Sequence, residues 1–404
     1  MSSSSIDQNI APSVLGTVER SDVTCDTVIT NIDVRPDSKN DGVCLCRSRK
    51  SQQKYTLACF IVLCLAVTWV ASTQLCQQTY IPNQFHSPLL CMYFWTAWLI
   101  LFYPIYIAIE LIVSKGNFPV GQSLRENLYI YGPYRFHLGH FAFKTSTLCF
   151  LWGTTCYSYV RALDPSFLEA TDISALFSTN HNFAYMLSWI VLFEKFVPLR
   201  VFALILSTSG IVLFAYADGF GSHSTWGVVL SVCSSASLAI FKVLFKKWIG
   251  CVSFGQLSMF LSIMGLGNLL TLWPVLITLQ YTEIEYIKAS VPWTYLFGTA
   301  ALMIVFQFLS NYTECLTNEL VTGLGMVVAI PMCGVSDYIW RNRHFNGMKF
   351  AAVVLSTLGL LLVLIPDTCF SEVCTSCVKY MHTKPNVTQP ERRTRRYGRE
   401  INRA

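Results

Sequence analysis

The chain alternates between apolar runs of helix length and short polar stretches. Ten runs can be marked, over 55–76, 88–113, 139–161, 172–193, 199–217, 225–246, 254–281, 291–311, 317–339 and 348–366. An α-helix needs about 20 apolar residues to cross a hydrocarbon core about 30 Å thick. The runs are too continuously apolar for barrel strands, which alternate. In lipid a helix satisfies its own backbone. The pattern predicts an all-α membrane protein with ten transmembrane helices.

Two runs are written alike. Residues 201–218 read VFALILSTSGIVLFAYAD and residues 350–367 read FAAVVLSTLGLLLVLIPD. Aligned without gaps, seven of eighteen positions agree: Ala203/Ala352, Leu206/Leu355, Ser207/Ser356, Thr208/Thr357, Gly210/Gly359, Leu213/Leu362 and Asp218/Asp367. These are the fifth and tenth runs. An odd offset inverts the second unit relative to the first. The reading is two inverted five-helix repeats, 55–218 and 219–367. Residues 1–54 form a disordered cytosolic tail, and 368–404 a basic cytosolic tail. Inverted repeats of this kind belong to transporters, with a site near the midplane between the units.

Composition agrees: 53% of residues are hydrophobic and 13% charged, against roughly a quarter charged in soluble domains. The net charge of +6 lies largely at the two ends, which fits cytosolic anchoring and not nucleic-acid binding. Lys and Arg mark cytosolic loops. Arg47, Arg49, Lys50 and Lys54 precede the first run, and Lys115, Arg125 and Arg135 follow the second. Lys195 and Arg200 follow the fourth, and Lys242, Lys246 and Lys247 close the sixth. Both termini are therefore expected in the cytosol. Arg341, Arg343 and Lys349 oppose this rule. The polar start predicts no cleavable signal peptide. The sixteen Cys show no disulfide framework. Cys44, Cys46, Cys369, Cys374 and Cys377 flank the membrane and fit either palmitoylation or unmodified thiols.

Several stretches carry a family resemblance: W-V-A-S-T-Q-L at 69–75, L-S-W-I-V-L at 187–192, Y-A-D-G-F at 216–220, S-H-S at 222–224, K-V-L-F-K at 242–246, F-L-S-I at 260–263 and F-N-G at 345–347. Together they resemble the drug/metabolite transporter superfamily, and within it the F branch of solute carrier family 35, in its thiamine-transporter-like members. The resemblance covers about 55–367. It implies ten helices in two inverted units and solute movement by alternating access.

Ionisable and polar groups inside the runs are the candidates for chemistry, because burying them is expensive. The fourth run carries Ser178, Thr179, Asn180, His181 and Asn182 in succession. Five polar residues together point to a cavity wall, with His181 able to bind solute or exchange a proton; polar packing is the alternative. Lys144 fits a solute-binding cation or a snorkelling side chain. Gln307, Asn311 and Tyr312 give the eighth run a polar end that can bond a heterocycle or a neighbouring helix. Asp172 and Glu319 open the fourth and ninth runs. They fit cation-attracting or proton-coupling gates, or helix caps. Trp69, Trp95, Trp98, Trp152, Tyr157 and Tyr159 fit either a face for a thiazolium-like cation or ordinary packing.

There is no H-E-x-x-H, G-x-S-x-G or P-loop pattern, so no enzyme, cofactor or metal is called for. The first hypothesis is a secondary carrier of a small organic solute, cationic or heterocyclic and thiamine-like, working among membrane lipids. A nucleotide-sugar or phosphorylated-solute exchanger is the second. It needs cavity cations to hold a diphosphate, and Lys144 and Lys242 are the available ones. A non-transporting scaffold or receptor is the third, disfavoured by the polar run.

Overall fold

In a computed structural model of the protein, the described residues are 41–80, 87–115, 119–128, 138–193, 197–217, 223–250, 252–282, 285, 291–317, 320–341 and 347–364. The chain divides into two compact units, Met1–Gln52 and Gln53–Ala404. Of the first, only the opening turns of α1 (Asp41–Tyr80) are described. The second holds the remaining helices, and no strand occurs among the described residues. Glu319, Asp218 and the Cys of the C-terminal tail lie outside the described residues.

Eight helices are long and apolar enough to cross a membrane among the described residues. Each coincides with one of the runs read from sequence. The third and fourth runs are the two that fall short, for different reasons. The third forms one helix, α5 (Leu138–Ala162), but it is rich in Ser and Thr. Thr147, Thr154 and Thr155 turn their hydroxyls back to the carbonyls four residues earlier. That satisfies them inside the helix.

The fourth run is not a single helix, which corrects the sequence reading of 172–193. It breaks at Thr179 into α6 (Ala170–Ser178) and α7 (Asn180–Leu192). Side chains at the break compete for the carbonyls of the last turn. Ser178 Oγ donates to Ala175 O at 2.7 Å, Thr179 Oγ1 to Leu176 O at 2.6 Å and Asn180 Nδ2 to Phe177 O at 2.7 Å. From α9 (His223–Trp248), Ser235 Oγ reaches the same carbonyls of Leu176 and Phe177, at 3.1 and 2.9 Å.

The second run also changes character midway. It runs as α2 (Pro88–Ala97), one tight 3-10 turn over Trp98–Leu101 and α3 (Phe102–Val113). Pro104 has no N–H to give Ile100 O. Ser262 Oγ of α10 (Phe254–Tyr281) takes that carbonyl at 3.0 Å and accepts from Tyr103 N at 2.9 Å. The approach is possible because Gly265 lies against this turn: a Cβ there would meet Ile100 N at 2.6 Å. A short helix, α4 (Val120–Leu128), connects α3 towards α5 and packs on α10.

The two L-S-T-x-G copies meet each other. α8 (Pro198–Ala217) and α13 (Gly347–Leu364) form the most extensive helix pair among the described residues. A Cβ at Gly210 would strike Ser356 Oγ and Ala352 O; one at Gly359 would strike Ser207 Oγ and Ala203 O. The contacts are reciprocal and the helices antiparallel, since residues late in one meet residues early in the other. Small residues let such helices approach closely.

Buried apolar residues form two clusters. One centres on Trp69, whose ring lies 5.1 Å from Phe177, 5.3 Å from Tyr159 and 4.9 Å from Phe306. The other gathers Phe102, Trp152, Phe241, Phe260 and Met264. α11 (Trp293–Thr317) and α12 (Leu320–Arg341) complete the bundle. Large apolar side chains such as Phe60, Phe150, Phe202 and Trp273 face outwards, as lipid-facing surfaces require.

Candidate functional site

Three polar regions stand out inside the bundle. The first is a small cavity lined by Trp95 and Leu99 of the second run, Trp152 and Cys156 of α5, and Met303, Ile304 and Gln307 of α11. Its volume is about 10 Å³, room for a single water. Trp95 and Trp152 are buried, and neither indole N–H has a hydrogen-bond partner. A buried donor left unpaired costs about 1–3 kcal/mol. Asn311 Nδ2 donates to Gln307 O at 2.7 Å and to its Oε1 at 3.4 Å, which holds the glutamine side chain. No lining side chain carries a charge.

The second region is the break in the fourth run. Ser178, Thr179, Asn180, His181 and Asn182 are all buried. They face neighbouring helices and not lipid. Thr179 Oγ1 meets Ser235 Oγ of α9 at 3.0 Å, and Asn182 Nδ2 donates to Ser207 Oγ of α8. His181 Nδ1 lies 3.3 Å from Ser178 O. The side-chain oxygens of Asn180 and Asn182 are buried acceptors without a partner. None of the five lines the tryptophan cavity.

The third region lies where α1, α5 and α12 end and where α6 and α13 begin. Asp337 and Asp172 are both fully buried there. Asp337 accepts from Gln74 Nε2 of α1 at 2.7 Å, and from Thr171 N and Oγ1 of α6 at 3.0 and 2.6 Å. Arg341 Nη1 stands 3.7 Å from its Oδ1 and also donates to Gln77 Oε1. Lys349 Nζ pairs with Asp172 Oδ2 at 3.4 Å. Nearby at the same end, Tyr80 Oη donates to Val160 O at 2.8 Å.

Glu285, in the segment after α10, accepts from Ser87 Oγ at 3.2 Å, Leu89 N at 3.1 Å and Tyr157 Oη at 3.3 Å. Burial pushes its carboxyl above the ordinary range, opposed by those three hydrogen bonds and by the charge of Arg161.

The sequence-predicted residues are thus distributed over separate places. Gln307 lines the cavity and Asn311 braces it. Tyr157 instead bonds Glu285. Asp172 joins the buried ion pairs. Lys144 is half-buried two turns before Trp152 and does not line the cavity. Asp337 and Glu285 escaped sequence reasoning. The signal for Asp337 was an acid inside an apolar run with Arg341 one turn later.

At the opposite end, Lys242 Nζ pairs with Glu314 Oε1 at 3.2 Å. Phe102, Phe254, Phe308 and Tyr312 pack there in tilted and edge-to-face contacts, with ring centres 5.2–6.5 Å apart.

Long apolar helices around buried polar groups define an integral, multi-pass membrane protein of the solute-transporter class. No family model matches the chain. It is 36% identical over 326 residues to human "Solute carrier family 35 member F3", covering 80% of this chain and 76% of that protein. The mouse counterpart is 34% identical over 332 residues, covering 82% and 77%. Mouse "Solute carrier family 35 member F4" is 34% identical over 309 residues, covering 76% and 63%. The chain belongs to solute carrier family 35, in the F branch of the drug/metabolite transporter superfamily.

Proposed function

We propose that the protein carries a small organic solute, heterocyclic or cationic and thiamine-like, by alternating access between two inverted five-helix units. The observation that carries the reading is the cavity of Trp95, Trp152 and Gln307. Its walls come from helices on both sides of the chain's midpoint. Its two unpaired indole donors ask for acceptor atoms on a bound ring. The reciprocal packing of Gly210 on Ser356 and Gly359 on Ser207 supports a two-fold relation between the units. At about 10 Å³ the cavity is too small for an organic solute, so one enters only when the units move apart.

Around the cavity, Gln307 and Asn311 present an amide to the solute. The broken fourth span, with Ser178, Thr179, Asn180, His181 and Asn182, supplies a polar hinge and a second solute-facing surface as the bundle opens. Lys144 and Tyr157 flank the route at opposite ends of α5, and Asp172 acts in gating with Glu319 as its counterpart. The termini lie in the cytosol. A nucleotide-sugar exchanger is less well served, because the lining lacks the cation a diphosphate needs.

Uptake of labelled thiamine into proteoliposomes holding the full chain tests the reading, with His181→Ala alongside. Uptake by wild type and its loss in the variant support it. Monodisperse protein that takes up a nucleotide sugar and no thiamine sinks it.

A further inference from the structure

The buried acids at the α12–α13 end share a feature that neither the sequence nor the family names. α6 starts after Glu169, which makes no side-chain capping bond, and α2 starts after Ser87, which makes none either. The first turns of both helices hold N–H groups with no intrahelical acceptor. Each finds one on the second half of the chain. Thr171 N donates to Asp337 Oδ2 at 3.0 Å, and Leu89 N to Glu285 Oε2 at 3.1 Å.

We infer that Asp337 and Glu285 are a pair of latches, each capping a helix of the first half from the second half and so holding this end of the bundle shut. A carboxyl oxygen can accept the free N–H groups of a helix N-terminus, and where it is ionised the helix dipole favours it further. Both carboxylates are reinforced. Thr171 Oγ1 and Gln74 Nε2 add to Asp337, and Ser87 Oγ and Tyr157 Oη add to Glu285. Separation of the halves here strips a capping carboxyl oxygen from two helix ends and exposes both. At the other end, Lys242 and Glu314 both belong to the second half, and the contact between halves includes the aromatic packing of Phe102 on Phe254 and Phe308. The two ends therefore close by different chemistry: carboxyl caps on helix ends at one, aromatic packing at the other. Asp337 and Glu285 are positioning residues for gating, not contacts of the solute.

The inference rests on alternating access, but its test needs no solute. Cys333 lies one turn before Asp337, is fully buried, and has its Sγ 3.4 Å from Ser174 Oγ. The full chain in lipid nanodiscs is exposed to a charged maleimide, and alkylation of Cys333 is followed by peptide mass spectrometry. Asp337→Ala and Glu285→Ala, which delete the accepting oxygens, are each expected to raise the rate about tenfold, the effect of losing one cap. Glu314→Gln, at the other end, leaves it unchanged. Unchanged rates in both latch variants overturn the inference, and so does an equal rise in Glu314→Gln, which marks general loosening. Should Asp337→Ala fail to fold, Glu285→Ala decides alone. Absence of thiamine uptake with Cys333 behaving as expected removes the solute assignment and leaves the latches standing.

Discussion

Trp95 and Trp152 show how a single atom changes the reading of a residue. As rings they pack, Trp152 against Phe241 at 5.4 Å and Trp95 against Tyr159 at 6.1 Å. As donors they are unpaired in a cavity whose only polar lining side chain besides the indoles and Cys156 is Gln307. Packing alone is served by Phe. Trp95→Phe and Trp152→Phe keep a ring and delete the N–H. If the donors serve the solute, each variant raises the thiamine KM in proteoliposomes by about tenfold, the value of one hydrogen bond. A KM unchanged in both returns the tryptophans to packing. The sequence displays these rings among many other aromatics, and nothing in their spacing marks the two that share a cavity. What selects them is the convergence of three helices that lie far apart in the chain.

Among elements, the second span shows a defect repaired by a neighbour. Pro104 frees Ile100 O, and Ser262 answers it across the interface with α10. Gly265 permits that contact, whereas Gly267 does not bear on it: a Cβ at Gly267 would sit an ordinary 3.6 Å from Cys149 Sγ. Gly265→Ala therefore forces the backbone of the 3-10 turn away, at about 1–3 kcal/mol, and lowers the melting temperature in detergent. Gly267→Ala leaves it close to wild type. Equal effects from the two would refute the account. Such features were partly legible. Proline inside an apolar run announces a kink, and repeated small residues announce close packing. The break at Thr179 was not legible as a break. Five polar residues in a row look like a cavity wall, and only the bonds of Ser178, Thr179 and Asn180 to their own preceding turn show how they end a helix.

On the scale of the whole molecule, charge that opposes the sidedness rule is explained by pairing. Arg341 and Lys349, the charges that oppose the expected sidedness, both face buried carboxylates, Asp337 and Asp172. Charges neutralised inside the bundle carry little weight in orienting it, and a rule read from loops alone does not see the pairing. The runs that form the eight long apolar helices were visible because each is a local pattern. The latches were not, because each joins residues from 166 to 263 positions apart in sequence or spans the gap from 87 to 285.

The same end carries a dependence on pH whose sign follows from Glu285. Ser87 before α2, Cys91 of α2, and Tyr157 and Arg161 of α5 face this carboxyl. Burial raises its pKa above the ordinary value, so the closed bundle binds its proton more tightly than the unfolded chain does. Its contribution to stability is then fully present below the ordinary carboxyl range and is lost as pH rises through the raised value. Glu285→Gln imitates the protonated form at every pH. Between about pH 5 and about pH 8, the difference in melting temperature between variant and wild type should shift steadily in favour of the variant as pH rises. Histidines and other groups common to both proteins cancel in that difference. A difference constant across the range would show that Glu285 stays ionised in the closed bundle. A growing one means that opening this end releases a proton, so that acid on this side favours the closed state and alkali its release.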